Sequence, residues 1–552
     1  MQRMLMPTGR PVTMASRGVV AAPHYLAAEA GIWALQQGGT AIDAAVAANA
    51  ALAVVYPHMA GLGGDALLMV WHPGRPRPIC LNGSGHSGYE ATVEFYHDRG
   101  HDAIPTRGPL AANTVPGAVA AWADAHARWG RLPWGQLFEV AIHYAESGFP
   151  VSANLAEWLE RDQKILERYD LTRATLLQDG QPYRQGEILV QRDLARTLRA
   201  LADDGPATFY TGELADAIVA YLEAHGAPLT HQDLEDHHSD WVDPLSTTYR
   251  GRTVYEFPPN SQGLVALLIL NLLERYDIAA LDDNHAQYYH YLVEAAKAAL
   301  AEVDGRIADP NYAPLPLEQL LSLEYAGRRG DLILPNLARP LPEYALGALL
   351  RQEVCPPAPE PRSATAYIAA VDAEGLTVSL IQSLHSEFGS AVVAGDTGVL
   401  LQNSGASFTL GLEDANRLQP HKRPFQPMMP GLVFEGQRPW VALGASGGEG
   451  EPQTHIALIT RLVDFGYDIQ QAIEAPRWFY GCTRGIEAPD LNLEGRVPDS
   501  VLRKLREMGH EVRVRGDWSD LVGQAQGIMI DWERGVLYGG ADPRGDGQAI
   551  GW

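Results

Sequence analysis

Hydrophobic positions near the start of the chain form one short apolar run followed by two longer, helix-like runs. The segment 18–24 predicts a short buried strand that ends in a turn. A helix predicted over 27–37 stops at a Gly-Gly pair, the usual glycine stop signal. Thr40 then caps a second helix over 41–55, with Asp43 placed to complete a capping box. Because this second helix is almost wholly Ala, Val, Leu and Ile, we expect it to be buried on every face.

The middle of the chain is mostly helical in pattern. A glycine turn at 61–65 leads into a strand-like run at 66–71, which implies close packing between the buried helix and a sheet. A strand is predicted at 253–257, directly before two prolines. Helical periodicity predicts helices at 117–128, 135–146, 190–203, 213–225, 264–274 and 286–304.

A proline-rich segment divides the chain into two parts of different character. Residues 355–361 contain four prolines, which exclude a helix or a central strand and predict an exposed linker. A hairpin follows, with strands at 365–371 and 376–382, and it folds Ser383 back beside Thr365. Further strand-like runs lie at 391–393, 399–401, 431–434 and 440–443, and a helix is predicted over 454–463.

Composition and charge narrow the classes of function. The chain has 552 residues, 42 basic and 67 acidic, for a net charge of −25. Such an acidic surface repels phosphate backbones and anionic lipid, so we expect neither nucleic-acid nor membrane partners. Three widely separated cysteines do not support a disulfide framework or a Cys-based zinc site. The start lacks the pattern of a signal peptide and no run is long enough to span a membrane, so the expected location is cytoplasmic.

Thr365 is a candidate nucleophile because of where it lies, at the start of the first strand after the linker. A threonine in that place is ordinarily structural. If the bond between Ala364 and Thr365 were cut, however, the free α-amine of Thr365 would serve as general base for its own hydroxyl. The exposed linker would let the new carboxyl terminus leave, and Ser383 would be placed to hydrogen-bond the Thr365 hydroxyl.

The glycine-rich run at 444–448 offers two interpretations. It follows a strand and precedes a helix, so its backbone N–H groups suit an oxyanion. It also matches a nucleophile elbow centred on Ser446, which would need an acid such as Asp464 or Asp468 and then His510. Mainly helical patterns before it, rather than serial strand–helix units, disfavour the elbow. The polar run 236–240 has metal-binding residue types but is typical of a solvated turn.

These pieces together resemble the γ-glutamyltranspeptidase family of N-terminal-nucleophile hydrolases, from about residue 16 to the end of the chain. In that family a precursor cuts itself before a threonine, which then forms an acyl-enzyme and passes the acyl group to water or an amine. The resemblance implies neither a metal nor a cofactor. It is carried by the segments 18–24, 38–47, 61–65, 258–263, 393–398 and 541–544.

The resemblance assigns roles to particular residues. The nucleophile position falls on Thr365, cleaved after Ala364, and its hydroxyl partner falls on Ser383. The oxyanion-hole glycine pair falls on Gly447 and Gly448. Asn403 corresponds to one of two asparagines before the substrate loop.

The sequence departs from the family pattern at positions that would bind the substrate. The arginine that clamps a γ-glutamyl carboxylate would fall at Ser84, and the acid that holds the amino group would fall at Ser407. Two serines that line the carboxylate site would fall at Gln426 and Pro427. The residues at 382–389, 402–408 and 447–453 are instead similar to the oxamate amidohydrolase and cephalosporin acylase branch. In that setting His385 or Gln426 is a candidate for recognising an acyl carboxylate.

The resulting expectation is an α+β, four-layer αββα sandwich that is autoprocessed into a large subunit, 1–364, and a small catalytic subunit, 365–552. The two would remain associated as a heterodimer and cleave a small carboxylated amide through an acyl-threonine. A short lid segment, 408–422, favours hydrolysis over transfer. Two alternatives stay open: a true γ-glutamyltransferase or glutathione hydrolase, and a non-enzymatic binding protein with the same fold.

Overall fold

The computed structural model describes residues 9–303, 305–344, 364–481 and 490–552. The predicted linker at 355–361 lies outside these ranges. So do Cys355 and Cys482, while Cys80 is buried with a free thiol.

Two seven-stranded sheets, antiparallel throughout, form the centre of the molecule. We call sheet 1 the one that contains Thr365. Its strands, in spatial order, are Gln548–Gly551, Val19–Ala22, Ala364–Val371, Thr377–His385, Asp65–Trp71, Ile79–Gly83 and Asp240–Val242. Sheet 2 runs Thr13–Ala15, Val536–Ala541, Gln524–Asp531, Arg438–Ser446, Gly431–Glu435, Arg252–Glu256 and Leu245–Tyr249. Each sheet therefore combines strands from before and after Thr365.

Alternation of side chains along the strands shows how the layers stack. Val19 and Ala21 lie in a core shared with sheet 2, whereas Val20 and Ala22 belong to a core shared with helices. On sheet 2, Ala442 joins the inter-sheet core while its neighbours face a second set of helices. Since a strand points successive side chains to opposite faces, both sheets are covered on both sides. The predicted four-layer αββα sandwich is confirmed.

The helices cover the two outer faces. Helix Ala41–Val55 lies on sheet 1, all fifteen of its residues are buried, and the capping box between Thr40 and Asp43 is formed, as the pattern predicts. The other helices are Tyr25–Gln36, Val93–His97, Ala118–Trp129, Glu139–Ser147, Ala153–Arg161, Gln163–Leu166, Asp170–Leu176, Arg192–Asp204, Ala207–Tyr210, Glu213–Ala224, His231–Glu235, Gly263–Leu273, Ala286–Val303, Leu317–Leu320, Leu323–Gly330, Glu451–Val463, Ile469–Glu474 and Asp499–Glu507.

Short peripheral strands complete the described part of the chain. They are Trp478–Tyr480, Leu491–Leu493 and Val512–Val514 in one small sheet, and the pairs Phe149–Pro150 with Ile188–Leu189 and Leu177–Gln178 with Gln181–Pro182. No helix among the described residues combines the length and the apolar character that a membrane crossing needs.

Two expectations about strands were wrong. Residues 391–393 and 399–401 are not strands but loop segments joined by one isolated bridge between Val393 and Leu400. They are apolar because they pack against the helices that cover sheet 1. The strands Ile79–Gly83 and Leu245–Tyr249 were not predicted, since neither has a long apolar run.

Candidate active site

Three neighbouring strands bring Thr365, Ser383 and Asp65 side by side on the inner face of sheet 1, and we call these three residues the row. Thr365 pairs with Ser383, and Ser383 pairs with Asp65 on the next strand. All three point between the sheets, because the residues two positions along their strands belong to the inter-sheet core: Tyr367, Ile381 and Leu67. With strands about 4.8 Å apart, the Cα atoms of Thr365 and Asp65 are separated by roughly 10 Å, with Ser383 between them.

The Ser383 hydroxyl is the centre of a small hydrogen-bond network. Its oxygen accepts from the His385 backbone N–H at 2.7 Å and faces the Thr365 hydroxyl at 3.5 Å. It donates its own proton to the Ala364 carbonyl oxygen. A serine hydroxyl offers one donor and two acceptor positions, so Ser383 is saturated in this arrangement. The network links the Thr365 hydroxyl to the carbonyl of the residue before it.

The peptide bond between Ala364 and Thr365 is intact, and the pairing register shifts between these two residues. A bulge at this point turns the Ala364 carbonyl away from regular strand pairing. Thr365 is only 2% exposed. In the uncut chain its hydroxyl is therefore close to its own backbone and shielded from solvent.

The turn at Gly447 and Gly448 lies at the end of the sheet 2 strand that packs over Thr365's strand. The two strands approach closely at Gly444, where an added Cβ would lie 2.2 Å from the Tyr367 ring. Gly447 and Gly448 both have positive φ, +154° and +57°, which favours glycine at these positions. Within the described residues neither of their backbone N–H groups donates a hydrogen bond. Two such N–H groups before helix Glu451–Val463 can donate hydrogen bonds to an oxyanion.

Asp65 is a buried carboxylate that accepts hydrogen bonds from four N–H groups. Its Oδ1 accepts from the Gln402 side chain at 2.8 Å and from the backbone of Gly85 and Gly117 at 2.9 and 3.3 Å. Its Oδ2 accepts from Gln426 Nε2 at 2.7 Å. Burial raises the pKa of Asp65 to about 6. A carboxyl group whose contacts are all donors is ionised at neutral pH, so this side of the row is negatively charged.

Arg423 places a positive charge beside Ser84, beyond the far end of the row. Its Nη1 donates to the Ser84 carbonyl and lies 3.5 Å from the Ser84 hydroxyl, while Nη2 donates to Asp240 at 2.7 Å. The guanidinium is buried, and burial lowers its pKa. A cation therefore lies against position 84, although the residue that carries it is 339 positions away in the chain.

Histidines surround Arg423 without adding charge. The ring of His86 stacks on His421 at 4.3 Å between centroids, and His237 lies nearby. Burial, together with the charge of Arg423, lowers the pKa of His86 to about 2 and that of His237 to about 3. Both rings are neutral at physiological pH, so Arg423 dominates the local positive field.

Other candidate residues from the sequence have structural contacts. Asn403 accepts from the Ser386 N–H at 3.0 Å and donates to Thr106 O at 2.8 Å, which holds the chain just after Ser383. His385 follows on this segment with a positive φ of +77°. The hydroxyl of Ser407, which is half-buried, donates to the Phe425 carbonyl at 3.2 Å and so supports the residue next to Gln426.

A γ-glutamyltranspeptidase family model matches residues 27–552. The chain belongs to the γ-glutamyltranspeptidase family. It is 44% identical over 540 residues to the glutathione hydrolase-like YwrD proenzyme of Bacillus subtilis, covering 97% of this chain and 98% of that protein. It is 39% identical over 544 residues to the oxamate amidohydrolase proenzyme of Klebsiella pneumoniae, covering 98% and 99%.

The solved structures agree with this assignment. Cephalosporin acylase from Bacillus halodurans superposes with a TM-score of 0.88 at 35% identity, covering 100% of this chain and 98% of that one. Relatives of this kind across the full length make the chain an N-terminal-nucleophile amidohydrolase of the γ-glutamyltranspeptidase family.

The serine-elbow alternative does not fit the γ-glutamyltranspeptidase fold observed here. Ser446 Oγ accepts from the Gln524 N–H at 3.1 Å. Asp464 instead contacts Tyr249 at 2.7 Å, and Asp468 caps helix Ile469–Glu474. His510 is bonded to His290 at 2.8 Å. None of these partners contacts Ser446, so no triad forms around it in the described structure.

One cluster has the residue types of a metal site. His290, Glu294 and His510 bring ligand atoms within 4.8 Å of one another. The two rings are hydrogen-bonded to each other, and Glu294 accepts from Lys297 Nζ at 2.6 Å. An ammonium group bonded to the carboxylate already provides its counter-charge, so the network is satisfied without an ion. It lies in the helical layer on sheet 2 and is not part of the row at Thr365.

Sequence reasoning did not single out Asp65 or Arg423, which the structure places beside Ser383 and Ser84. Asp65 was visible as the end of the glycine turn at 61–65, and a charged residue opening an apolar strand is a signal in itself. Arg423 follows Lys422 in a polar segment and has no local pattern that sets it apart. Only its contact with Ser84 in the folded chain shows that Arg423 lies near the row.

Proposed function

We propose that this chain is an autoprocessing amidohydrolase whose nucleophile is Thr365. The observation that carries the proposal is the Ser383 hydroxyl, which bonds the Ala364 carbonyl while facing the Thr365 hydroxyl. Hydrogen bonding to the carbonyl oxygen polarises the bond to be cut and places the nucleophile beside it. The Klebsiella and Bacillus relatives are both named proenzymes, which supports processing of this chain.

Self-cleavage follows from these contacts. The Thr365 Oγ attacks the Ala364 carbonyl carbon, and its proton passes through Ser383 toward the departing amide nitrogen. The C–N bond breaks to leave an ester between Ala364 and Thr365 Oγ. Water hydrolyses that ester, giving an Ala364 carboxylate and a free Thr365 α-amine.

Turnover uses the amine released by cleavage. An α-amine has a pKa of about 8, so a useful fraction is neutral near pH 7.5 and accepts the Thr365 hydroxyl proton. The hydroxyl attacks the substrate amide, the Gly447 and Gly448 N–H groups stabilise the oxyanion, and the protonated amine leaves. Water then cleaves the acyl-Thr365 ester to release a carboxylic acid.

The proposed substrate is a small carboxylated amide, oxamate-like or another acyl amide. Support comes from the relatives named as oxamate amidohydrolase and cephalosporin acylase, and from the buried Arg423 beyond the row. Segment 408–422 folds back on itself through Lys422, which donates to the Ala415 and Arg417 carbonyls at 2.7 and 2.9 Å. Such a short, self-contained segment favours water over a larger amine as acyl acceptor.

A second candidate is γ-glutamyl hydrolysis or transfer. Arg423 and Asp65 put a cation and a carboxylate near the site, although neither occupies the position that the family pattern uses. Release of ammonia from oxamate favours the first function. Hydrolysis of γ-glutamyl-p-nitroanilide with acceleration by glycylglycine favours the second.

The decisive experiment measures the intact mass of purified wild-type protein and of a Thr365→Ala variant. We expect the wild type to split into a large and a small piece, about two thirds and one third of the 60.0 kDa chain, with Thr365 as the new amino terminus. The variant should remain at full length. Ser446→Ala serves as a matched control and should still be cleaved. A folded wild type that stays at full length would overturn the proposal.

A further inference from the structure

Residues 522–525, at the start of strand Gln524–Asp531, pack directly against the chain that leads into the Gly447–Gly448 turn. A Cβ added to Gly523 would lie 1.9 Å from the Ser446 carbonyl oxygen and 3.3 Å from the Gly447 Cα. The φ of Gly523 is +76°, which is a second reason for glycine at this position. We call residues 522–525 the brace. Its close contact with Ser446 means that neither backbone can move without the other.

Four side chains bond the backbone of the brace, one at each of its residues. The bonds run from Thr454 Oγ1 to the Val522 carbonyl at 3.1 Å, from Arg477 Nη2 to the Gly523 carbonyl at 2.9 Å, from the Gln524 N–H to Ser446 Oγ at 3.1 Å and from the Ala525 N–H to Asp542 Oδ2 at 2.8 Å. All four side chains come after Thr365 in the chain and so belong to the proposed small subunit. The backbone of the brace is therefore held from within that subunit.

One further bond to the brace comes from the proposed large subunit. The Tyr56 hydroxyl lies 3.0 Å from Gln524 Oε1 and 3.0 Å from Asn154 Oδ1. The Asn154 oxygen has a second donor, His58 Nε2, at 2.9 Å. Among the described residues the Gln524 oxygen has no donor other than Tyr56. Since both side chains are buried, loss of the Tyr56 hydroxyl would leave the Gln524 oxygen unsatisfied.

We propose that Tyr56 is a positioning residue for the Gly447–Gly448 turn and that it acts through Gln524 and the brace. This inference rests on the proposed function, in which the N–H groups of the turn stabilise the oxyanion formed from the substrate. Such donors stabilise a transition state only when they are held in the right geometry in advance. The large subunit would thus contribute to turnover after cleavage by keeping part of the small subunit's machinery in place.

Self-cleavage and turnover use different groups, and this difference separates a positioning role from a structural one. In the uncut chain the Ala364 carbonyl oxygen is bonded to Ser383 on sheet 1. The brace and the strand that leads into the turn belong to sheet 2. A change confined to the brace should therefore slow turnover and leave self-cleavage at its normal rate. A general loss of stability would instead slow both reactions.

The test removes the Tyr56 hydroxyl and keeps its ring. Tyr56→Phe should self-cleave at the wild-type rate, followed by intact mass. Its kcat should fall about tenfold while KM stays within about twofold, because misplaced oxyanion donors affect the transition state more than the bound substrate. Ammonia release from oxamate measures turnover, or p-nitroaniline release from γ-glutamyl-p-nitroanilide where the processed wild type hydrolyses that amide instead. Tyr288→Phe is the matched control and should keep both constants, since this buried hydroxyl bonds Thr460 Oγ1 at 2.8 Å in the helical layer on sheet 2.

Two more substitutions test whether the hydroxyl acts through Gln524. Gln524→Met removes the acceptor and should lower kcat as Tyr56→Phe does. The double variant should be no slower than either single variant, because both changes break the same bond. Asn154→Leu removes the other oxygen near the Tyr56 hydroxyl and should keep the wild-type kcat.

The inference and the proposed function fail on different results. A wild-type kcat in Tyr56→Phe overturns the inference alone, and so do additive losses in the double variant. Equal slowing of self-cleavage and turnover also overturns it, since that result gives Tyr56 a structural role. Where Tyr56→Phe does not fold, Gln524→Met decides, and a wild-type kcat in that variant overturns the inference. A wild type that does not self-cleave, or that self-cleaves and hydrolyses neither amide, overturns the proposed function, and the inference falls with it.

Discussion

At the scale of single residues, the candidate site is centred on one hydroxyl with three contacts. Ser383 joins the Thr365 hydroxyl, the Ala364 carbonyl and the His385 N–H. Thr365 and Ser383 were both predicted from the sequence, since a hairpin places them opposite each other by its register alone. The residues beyond them, Asp65 and Arg423, were not, because no local pattern links them to Thr365.

Removing the Ser383 hydroxyl should slow self-cleavage. We expect Ser383→Ala to process itself about 10²–10³-fold more slowly, the usual effect of losing one donor to a developing oxyanion. Intact mass followed over time after purification measures the rate. Ser379→Ala is the control, since this serine points to the same face of the same strand but bonds the Tyr367 hydroxyl at 2.7 Å. Equal rates for the two variants would contradict the role given to Ser383.

His58 should make the protein sensitive to mild acid. Burial lowers its pKa to about 3, while its Nε2 contacts Asn154 Oδ1 at 2.9 Å. A depressed pKa contributes stability that is fully present above pH 6.5 and is lost as the pH falls toward 3. In the uncut Thr365→Ala chain, adding His58→Gln should flatten the loss of unfolding free energy from pH 6.5 to 5 by up to about 1.4 kcal/mol per pH unit.

Urea unfolding at several pH values measures this slope. The exposed His143 provides the control, and His143→Gln should leave the slope unchanged. If His58→Gln and His143→Gln behave alike, burial of His58 does not couple folding to protonation.

At the scale of elements, the contact between two central strands sets the geometry of the site. Strands Ala364–Val371 and Arg438–Ser446 come from different sheets and meet where Gly444 lies against the Tyr367 ring. The strand that carries Gly444 ends at Ser446 and leads directly into the Gly447–Gly448 turn. The strands themselves were predicted from their apolar runs. The need for a glycine at position 444, however, comes from the Tyr367 ring in the opposite sheet.

A methyl group at Gly444 should separate the two strands. Its Cβ would lie 2.2 Å from the Tyr367 ring, so Gly444→Ala should lower the free energy of unfolding by about 1–3 kcal/mol. Self-cleavage should slow as well. Gly411→Ala is the control, because an added Cβ there meets nothing within 4 Å. Thermal unfolding of both variants in the Thr365→Ala background measures the difference, and similar melting temperatures would contradict the packing argument.

Elements with strong local signals agreed with prediction. The helix Ala41–Val55 has the predicted bounds because its cap, its composition and its end are all encoded within the segment. The prediction of strands at residues 391–393 and 399–401 was wrong because apolar runs this short are compatible with strands and with packed loops alike. Tertiary packing against the helical layer decided between them.

At the scale of the whole molecule, the two proposed subunits share both seven-stranded sheets. Sheet 1 places Ala364–Val371 between Val19–Ala22 and Thr377–His385, and sheet 2 pairs Gly431–Glu435 with Arg252–Glu256. Cutting before Thr365 removes one covalent bond and leaves these strand pairs intact. The inter-sheet core likewise draws on both parts of the chain.

After cleavage, residues 1–364 and 365–552 should therefore remain one particle. We expect the processed wild type and the uncut Thr365→Ala variant to elute at the same volume in size-exclusion chromatography. The pieces should separate only in denaturant, because separation exposes the strand edges and both cores. Two separate peaks under native conditions would contradict the heterodimer.

The sequence by itself predicted about half of the helices and central strands and singled out Thr365 as the candidate nucleophile, while the class of fold followed from the family resemblance. The predicted elements depend on periodicity, caps and turns, which act between residues close together in the chain. Only the tertiary structure decided which distant polar groups meet. Asp65 bonds Gln426 across 361 residues, and Ser84 contacts Arg423 across 339. Such contacts depend on how two sheets stack, and no local pattern encodes a partner that far away.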